Sequence, residues 1–224
     1  MAPKIEPAEL RTTNDLLKDF AADPALSAEV VYLKSWSRFN ILEQAPLHEI
    51  FHQSRILRFI RRPVYSALPQ AFHKFIYDGL FTFAGKYRSK DDPHGGNIYF
   101  GHQHAQRRKP KFHGEPPDEI EDGVVDAVWF LKNKPKDPLY QASRFYQKFV
   151  NVHPFYDANG RIARLITNMY LANHNLSLSW SEFDSKRKFI RKLNRCHLKP
   201  DEKNFGYLVN YLTNFSLNID ELEE

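Results

Sequence analysis

Apolar residues recur at helical spacing through most of the chain, and a proline or glycine ends several of these stretches. Between residues 69 and 84, large apolar side chains stand three or four positions apart, which places them on one face of a helix. The same spacing recurs in five later segments, namely 118–131, 139–152, 162–173, 185–196 and 205–215. The sequence therefore predicts an all-α fold.

The first sixty residues predict a separate helical part ahead of this run. Residues 15–22 and 27–33 are typical of helices, and Ser27 is the expected N-cap of the second. Residues 47–62 have a further helical stripe, which Pro63 ends. We expect an N-terminal helical extension in 1–63, a main domain in 64–215 and an acidic tail in 216–224.

One short region breaks the helical pattern. Residues 91–97 are rich in Asp, Pro, Gly and Asn, which is a dense turn signal, and residues 98–101 favour a strand. The polar and basic stretch that follows, 102–117, is typical of a loop. The sequence therefore predicts one small β-hairpin that begins near Ile98.

Composition and charge limit the class of protein. Apolar residues make up 42% of the chain, which is enough for a core and argues against disorder. The net charge of +5 suits an anionic ligand such as a nucleotide, without requiring nucleic acid. Cys196 is the only cysteine, so neither an internal disulfide nor a cysteine-based zinc site can form. With no secretory h-region and no spanning segment, we expect a cytoplasmic protein without nucleic-acid or membrane partners.

The segment 153–164 carries the side chains of greatest chemical interest. It has the sequence His-Pro-Phe-Tyr-Asp-Ala-Asn-Gly-Arg-Ile-Ala-Arg. Because a proline biases the preceding residue toward extended backbone, we expect His153 to turn its imidazole out of the helix before it. Asp157 offers a hard carboxylate oxygen, the kind that Mg²⁺ accepts alongside phosphate oxygens.

The second half of this segment adds groups that suit anions. The next helix is expected to open at Ala158, Asn159 and Gly160, where amide N–H groups and the helix dipole form an anion site. Arg161 and Arg164 stand at i and i+3, so both lie on one helix face and can hold phosphate oxygens. Each residue alone has an ordinary structural explanation, such as a cap or a surface pair. Together with the imidazole and the carboxylate, they indicate reaction at a nucleotide phosphate.

This segment resembles the signature of Fic (filamentation-induced-by-cAMP) proteins, His-Pro-Phe-x-Asp/Glu-Gly-Asn-Gly-Arg-x-x-Arg. All specified positions agree except the first glycine, where Ala158 stands. Upstream, residues 84–88 look like the Ala-Gly-x-Tyr-Arg run of the Fic core, and residues 98–100 fall where the family has its target-docking flap. The resemblance covers roughly residues 64–215 and implies a Fic-type helical bundle with a small β-hairpin flap.

The resemblance implies a protein adenylyltransferase, which transfers AMP from ATP to a Ser, Thr or Tyr hydroxyl of a target protein. His153 would be the general base. Asp157 would bind the Mg²⁺ that bridges the α- and β-phosphates. The nucleotide-binding residues would be Ala158, Asn159, Gly160, Arg161 and Arg164. The flap residues that pair with an extended target segment would be Ile98, Tyr99 and Phe100.

Two positions bear on which group is transferred. Ala158 would be strained if the site needs a positive φ, although the related Doc toxins also carry Ala there. Doc proteins follow it with Lys, which goes with phosphate transfer, so Gly160 favours AMP transfer. The alternatives are a Doc-like protein kinase or phosphotransferase toxin, and a catalytically silent nucleotide-binding module, against which the intact His153 argues.

The resemblance also raises the question of inhibition. Many Fic proteins hold an inhibitory helix of the form Ser/Thr-x-x-x-Glu-Gly/Asn, whose Glu pairs with the second motif Arg. No segment of this chain has that form, and the nearest approach, Ser216 followed by Asp220 and Glu221, lacks the Gly or Asn. Two hypotheses follow: a separate small antitoxin-like partner supplies the Glu, or the protein is not restrained in this way.

Overall fold

The computed structural model describes residues 7–44, 66–102, 110–132, 137–180 and 186–219. The described helices are α1 (Pro7–Phe20), α2 (Ala28–Gln44), α3 (Leu68–Tyr77), α4 (Ile120–Lys132), α5 (Pro138–Val152), α6 (Asn159–Ala172), α7 (Lys186–Leu198) and α8 (Glu202–Thr213). The described strands are β1 (Tyr99–His102), β2 (Pro110–His113), β3 (Leu176–Leu178) and β4 (Ser216–Asn218). The prediction of an all-α fold is confirmed.

Helix α5 is the centre of the bundle and packs against α4, α6, α7 and α8. Asp137 caps its start by accepting a hydrogen bond from Tyr140 N at 3.0 Å, and Pro138 occupies its first turn. Phe145 and Phe149 are fully buried on this helix. Since the segment 153–164 follows α5 directly, the best-packed helix of the bundle supports one end of the candidate site.

Helix α3 is shorter than predicted, because it ends at Tyr77 rather than near residue 84. Gly79 follows at φ +69°, a left-handed conformation that a regular helix does not contain. Phe81 and Phe83 are buried all the same, from a series of turns rather than from a helix. The positions of these two buried residues continue the helical spacing of the apolar residues. The predicted helix was therefore too long.

The N-terminal helices lie against this bundle. Ser27 caps α2 as predicted, since its Oγ accepts a hydrogen bond from Val30 N at 3.4 Å. Helix α2 packs on α1, α3 and α6, so its residues reach the helix that carries both motif arginines. The predicted helix at 47–62 lies outside the described residues.

The predicted hairpin is present, with β1 antiparallel to β2 and Phe100 opposite Phe112. A second two-stranded sheet, in which Ser177 of β3 faces Leu217 of β4, was not predicted. Strands of three residues are too short to show an alternating pattern, which explains the omission. In the described part of the chain, no helix is long and apolar enough to cross a membrane.

Candidate active site

The backbone of His153 differs from the prediction. It adopts φ 53° and ψ 57°, a left-handed conformation that caps α5, and not the extended backbone expected before Pro154. The N–H of His153 donates to Phe149 O at 3.1 Å, which closes the last turn of the helix. This capping bond outweighs the preference that the proline imposes.

The His153 imidazole is partly buried, and contacts on two sides orient it. Its Nδ1 lies 3.1 Å from Val150 O, and a carbonyl can only accept, so Nδ1 carries the proton and Nε2 is left as the basic nitrogen. The ring stacks on Phe100 at 4.1 Å between centroids, with 11° between their planes. Burial lowers the pKa of His153 to about 4, so the ring is neutral at physiological pH and can accept a proton.

Asp157 is held by three donors. Its Oδ2 accepts hydrogen bonds from the Tyr77 hydroxyl at 2.6 Å and from Arg161 Nη2 at 3.0 Å, and its Oδ1 accepts one from Ala158 N at 2.6 Å. Burial alone would raise the pKa of Asp157, but Arg161, Tyr77 and the Ala158 amide together hold that pKa below its ordinary value. The side chain is therefore a carboxylate, and the motif did not indicate the part that Tyr77 plays.

The start of α6 is open to an anion. No side chain caps the first turn, and the N–H groups of a first helical turn have no partner within the helix. The Asn159 side chain is engaged within the loop, because its amide donates to Phe155 O at 2.8 Å and accepts from Phe155 N at 3.0 Å. Asn159 therefore closes the loop. Because Ala158 N already donates to Asp157 Oδ1, the backbone amides of Asn159 and Gly160 are the groups that an anion would meet.

Ala158 sits in a strained conformation, with φ 62° and ψ 8°. A left-handed residue with a Cβ costs about 1–2 kcal/mol, which glycine avoids at an entropic cost of about 0.4–1 kcal/mol in the unfolded chain. We therefore expect Ala158→Gly to raise the free energy of unfolding by roughly 0.5–1 kcal/mol in urea titrations. Ala163→Gly, a control in the interior of α6, should lower it by about 1 kcal/mol. If Ala158→Gly and Ala163→Gly lower the free energy of unfolding equally, the backbone of Ala158 is not strained.

Arg161 and Arg164 are held close to the helix start. Arg161 donates to the Tyr77 hydroxyl at 2.6 Å, and its guanidinium lies 4.9 Å from the centre of the Trp36 ring. Arg164 lies 4.9 Å from the Phe39 ring. Arg161 Nη1 and Arg164 Nε are buried and have no hydrogen-bond partner within the described residues. Unpaired buried donors on two adjacent guanidinium groups are what a phosphate would satisfy.

Helix α2 supplies an acidic partner that sequence analysis missed. Glu43 Oε1 lies 2.5 Å from Arg164 Nη2, and both side chains are largely shielded from solvent. Trp36, Phe39 and Glu43 stand at i, i+3 and i+7, so one face of α2 contacts both motif arginines. Glu43 does not fit the form of the inhibitory helix, because Phe39 stands in place of Ser or Thr and Gln44 in place of Gly or Asn.

The three predicted flap residues have different surroundings. Phe100 covers His153 and also lies 5.5 Å from Phe112 across the hairpin. Tyr99 is 54% exposed, and Ile98 lies at the base, where its carbonyl accepts from Gly114 N at 3.1 Å. Within the described residues β1 pairs only with β2, so the other edge of β1 is available to a further strand.

His73 is a second buried imidazole that stabilises the site loop. It accepts a hydrogen bond from Gly85 N at 2.9 Å and stacks on Phe155 at 4.0 Å. Burial lowers the pKa of His73 to about 3, so this ring is also neutral in the folded protein. The loop therefore rests on an imidazole that acid can protonate only at a large cost.

Because the pKa values of both imidazoles are lowered, we expect the fold to lose stability in acid. In the unfolded chain a histidine has a pKa of about 6.5, so below that pH the unfolded state binds protons that the folded state rejects. Their contribution to stability is complete above pH 6.5 and is lost as the pH falls toward about 4, where the lowered pKa of His153 lies. We expect each imidazole to lower the free energy of unfolding, measured by urea titration, by on the order of 2 kcal/mol between pH 7 and pH 5. His73→Gln should flatten this dependence, and a pH-independent midpoint in the parent chain would contradict it.

Comparison with known proteins agrees with this fold. A family model for the Fic/DOC family matches residues 65–171. Protein adenylyltransferase fic-1 of Caenorhabditis briggsae is 28% identical over 128 residues, which are 55% of this chain but only 24% of that relative. A Fic domain containing signaling protein from Bacteroides thetaiotaomicron superposes with a TM-score of 0.61 at 18% identity, over 99% of this chain and 91% of that one.

A further solved structure shows the same fold. The N-terminal Fic domain of a cell filamentation protein from Bartonella quintana, with bound ADP, superposes with a TM-score of 0.59 at 11% identity, over 88% of this chain and 89% of that one. The helical bundle and the small hairpin thus have the fold of these Fic-domain structures, and residues 65–171, which include the motif, match the Fic/DOC family model.

Proposed function

We propose that this chain is a protein adenylyltransferase that transfers AMP from ATP to a Ser, Thr or Tyr hydroxyl of a target protein. One observation carries the proposal. The neutral imidazole of His153, the Asp157 carboxylate and two guanidinium groups with unpaired donors surround one uncapped helix start. This set supplies a base, a metal ligand and phosphate-binding groups. A relative named as an adenylyltransferase and a neighbour with bound ADP support it.

In the proposed reaction one P–O bond forms, one P–O bond breaks and one proton moves to His153. The target hydroxyl oxygen bonds to the α-phosphorus of ATP, and the bond from that phosphorus to the pyrophosphate oxygen breaks. Nε2 of His153 takes the hydroxyl proton, because Nδ1 already donates to the Val150 carbonyl. The amides at the start of α6 stabilise the charge on the α-phosphate, and Arg161 and Arg164 hold the departing pyrophosphate.

The residues present fit a single Mg²⁺ held jointly with the nucleotide. No group of three or more His, Cys, Asp or Glu that could hold a metal occurs in the described ranges. Asp157 is therefore the one protein ligand we propose, with phosphate oxygens completing the sphere as Mg²⁺ prefers. Its Oδ1 accepts a bond from the Ala158 amide, which leaves a lone pair for the metal. The ion would neutralise charge on the phosphates.

Gly160 supports AMP transfer over the Doc-like alternative. A Cβ at this position would lie 3.7 Å from the Tyr146 hydroxyl, which is ordinary contact, so packing alone does not demand glycine there. Glycine instead leaves clear the space beside the helix start, where Doc proteins carry the Lys that goes with phosphate transfer. We therefore keep phosphate transfer as the second candidate and the silent nucleotide-binding module as the third.

We also propose that the chain restrains itself through Glu43. The carboxylate already occupies Arg164, the group that would hold the γ-phosphate. An ion pair there competes with ATP for the same guanidinium. A separate antitoxin-like partner is therefore not required to supply this Glu. The target protein would dock along the free edge of β1, where an extended segment can add as a strand.

ATP labelled separately at the α- and γ-phosphorus distinguishes the three candidates. The acceptors are the chain itself and the proteins of a clarified cell lysate, and the Glu43→Gly variant is tested beside the parent chain. We expect label on protein from the α position only. Label from the γ position alone would establish phosphate transfer, and ATP binding without either label would establish the silent module.

A further inference from the structure

Arg88 makes an unusual set of contacts for a charged side chain. It is 2% exposed and forms no ion pair with a described carboxylate. Its guanidinium instead donates to four backbone carbonyls, those of His153 at 2.9 Å, Glu115 at 2.9 Å, Val152 at 3.5 Å and Gly96. Its own backbone N–H donates to Pro154 O at 3.0 Å.

The carbonyls that Arg88 binds belong to three parts of the site. Val152 and His153 end α5 and begin the loop that carries the general base. Gly96 precedes β1 and Glu115 follows β2, so these two residues are the legs of the flap. One guanidinium thus joins both legs of the flap to the catalytic loop. Its forked donors can bind several acceptors in fixed directions, which a lysine ammonium cannot do.

Gly114 supplies independent evidence that the second leg lies close to this group. A Cβ at Gly114 would stand 2.7 Å from Ile98 Cγ2, 2.8 Å from Arg88 Nη2 and 3.2 Å from His153 Cβ. The flap therefore approaches the guanidinium and the general base so closely that only a hydrogen fits. Glu115 N also donates to Val152 O at 3.0 Å, on the same side of the site.

We propose that Arg88 is a positioning residue, which fixes the flap relative to His153 and so sets where a target hydroxyl meets the base. The proposal rests on the proposed transfer reaction and deepens it. A target segment that pairs with β1 takes its position from the flap, and the base takes its position from the loop. Since Arg88 holds both the flap and the loop, the distance between the target hydroxyl and Nε2 of His153 depends on this one side chain.

The position of Arg88 separates target alignment from nucleotide binding. None of its hydrogen bonds reaches Arg161, Arg164 or the amides that begin α6. A change at Arg88 should therefore disturb transfer without disturbing the nucleotide. A residue needed only for folding would lower both together.

The test uses Arg88→Lys in the Glu43→Gly background, with Arg38→Lys as the matched control. Arg38 also donates to backbone carbonyls, those of Ile76 and Asp78 at the end of α3, and neither bond involves the flap or the segment 153–164. We expect Arg88→Lys to lower label transfer from α-labelled ATP about a hundredfold. Binding of a non-hydrolysable ATP analogue, measured by calorimetry, should stay within about twofold. The amides of Gly114 and Glu115 should exchange hydrogen faster, and Arg38→Lys should change none of these.

Three results would overturn the proposal: transfer at the parent rate, a parallel loss of analogue binding and transfer, or unchanged exchange at Gly114 and Glu115. If Arg88→Lys does not fold, Gly114→Ala decides, since it pushes the flap leg away from an intact Arg88 and should show the same split. If the Glu43→Gly parent transfers no label, the proposed function fails instead. The exchange measurement then still tests Arg88.

Discussion

Replacing His153 with alanine is expected to lower AMP transfer by about a hundredfold or more, while ATP binding stays nearly unchanged. The imidazole is a neutral base on the loop, and because Nδ1 donates to the Val150 carbonyl, Nε2 is the nitrogen that can accept a proton. Its loss removes proton acceptance and leaves the helix start and both arginines in place. In such a case kcat falls and the affinity for nucleotide does not.

The measurement is label transfer from α-labelled ATP in the Glu43→Gly background, which removes the proposed restraint. His174→Ala is the matched control, because that ring lies beside Tyr170 at the far end of α6. Calorimetry with a non-hydrolysable analogue tests whether the nucleotide still binds. Transfer that persists in His153→Ala would exclude His153 as the base, whichever group the protein moves.

The second large effect is expected from Glu43→Gly, which should raise transfer by about tenfold or more. The ion pair with Arg164 is mostly shielded from solvent, with 29% of the Glu43 side chain and 26% of the Arg164 side chain exposed. It should therefore exceed the value of a surface pair, and about 1.4 kcal/mol of competition is a factor of ten in affinity. The gain should appear first as tighter binding of ATP.

Two further variants make this prediction specific. Glu43→Gln keeps the length of the side chain and removes its charge, so it should reproduce most of the gain. Glu29→Gly places the same substitution in the exposed first turn of α2, away from Arg164, and should have no effect on transfer. Equal ATP affinity in the parent chain and in Glu43→Gly would show that the ion pair does not restrain the site.

The helices could be predicted because their apolar periods and their stop signals agree. Helix α5 runs from Pro138 to Val152 within a residue of its expected limits, since Asp137 and Pro138 define its start. Helix α3 was overestimated because burial of Phe81 and Phe83 depends on tertiary packing of turns, which a local period cannot distinguish from a helix. The two short strands β3 and β4 depend wholly on contact between distant segments.

The site was predictable in part. The motif residues from His153 to Arg164 lie together because they are adjacent in the chain. Tyr77, Glu43 and Arg88 reach the same place from other elements, and no local pattern joins them to the motif. The extended backbone predicted for His153 from the following proline was also wrong, since a helix-capping bond imposes a left-handed conformation there.

Two tryptophan rings lie beside the two motif arginines, where their fluorescence can respond to a change in charge. The chain has three tryptophans. Trp36 stands 4.9 Å from the Arg161 guanidinium and Trp180 stands 5.9 Å from that of Arg164, whereas Trp129 lies on α4 and is 58% exposed. A triphosphate that draws both guanidinium groups toward itself changes the charge felt by two of the three indoles. If the proposed nucleotide site is correct, we expect intrinsic fluorescence to follow its occupancy in real time, without a dye or a modified nucleotide.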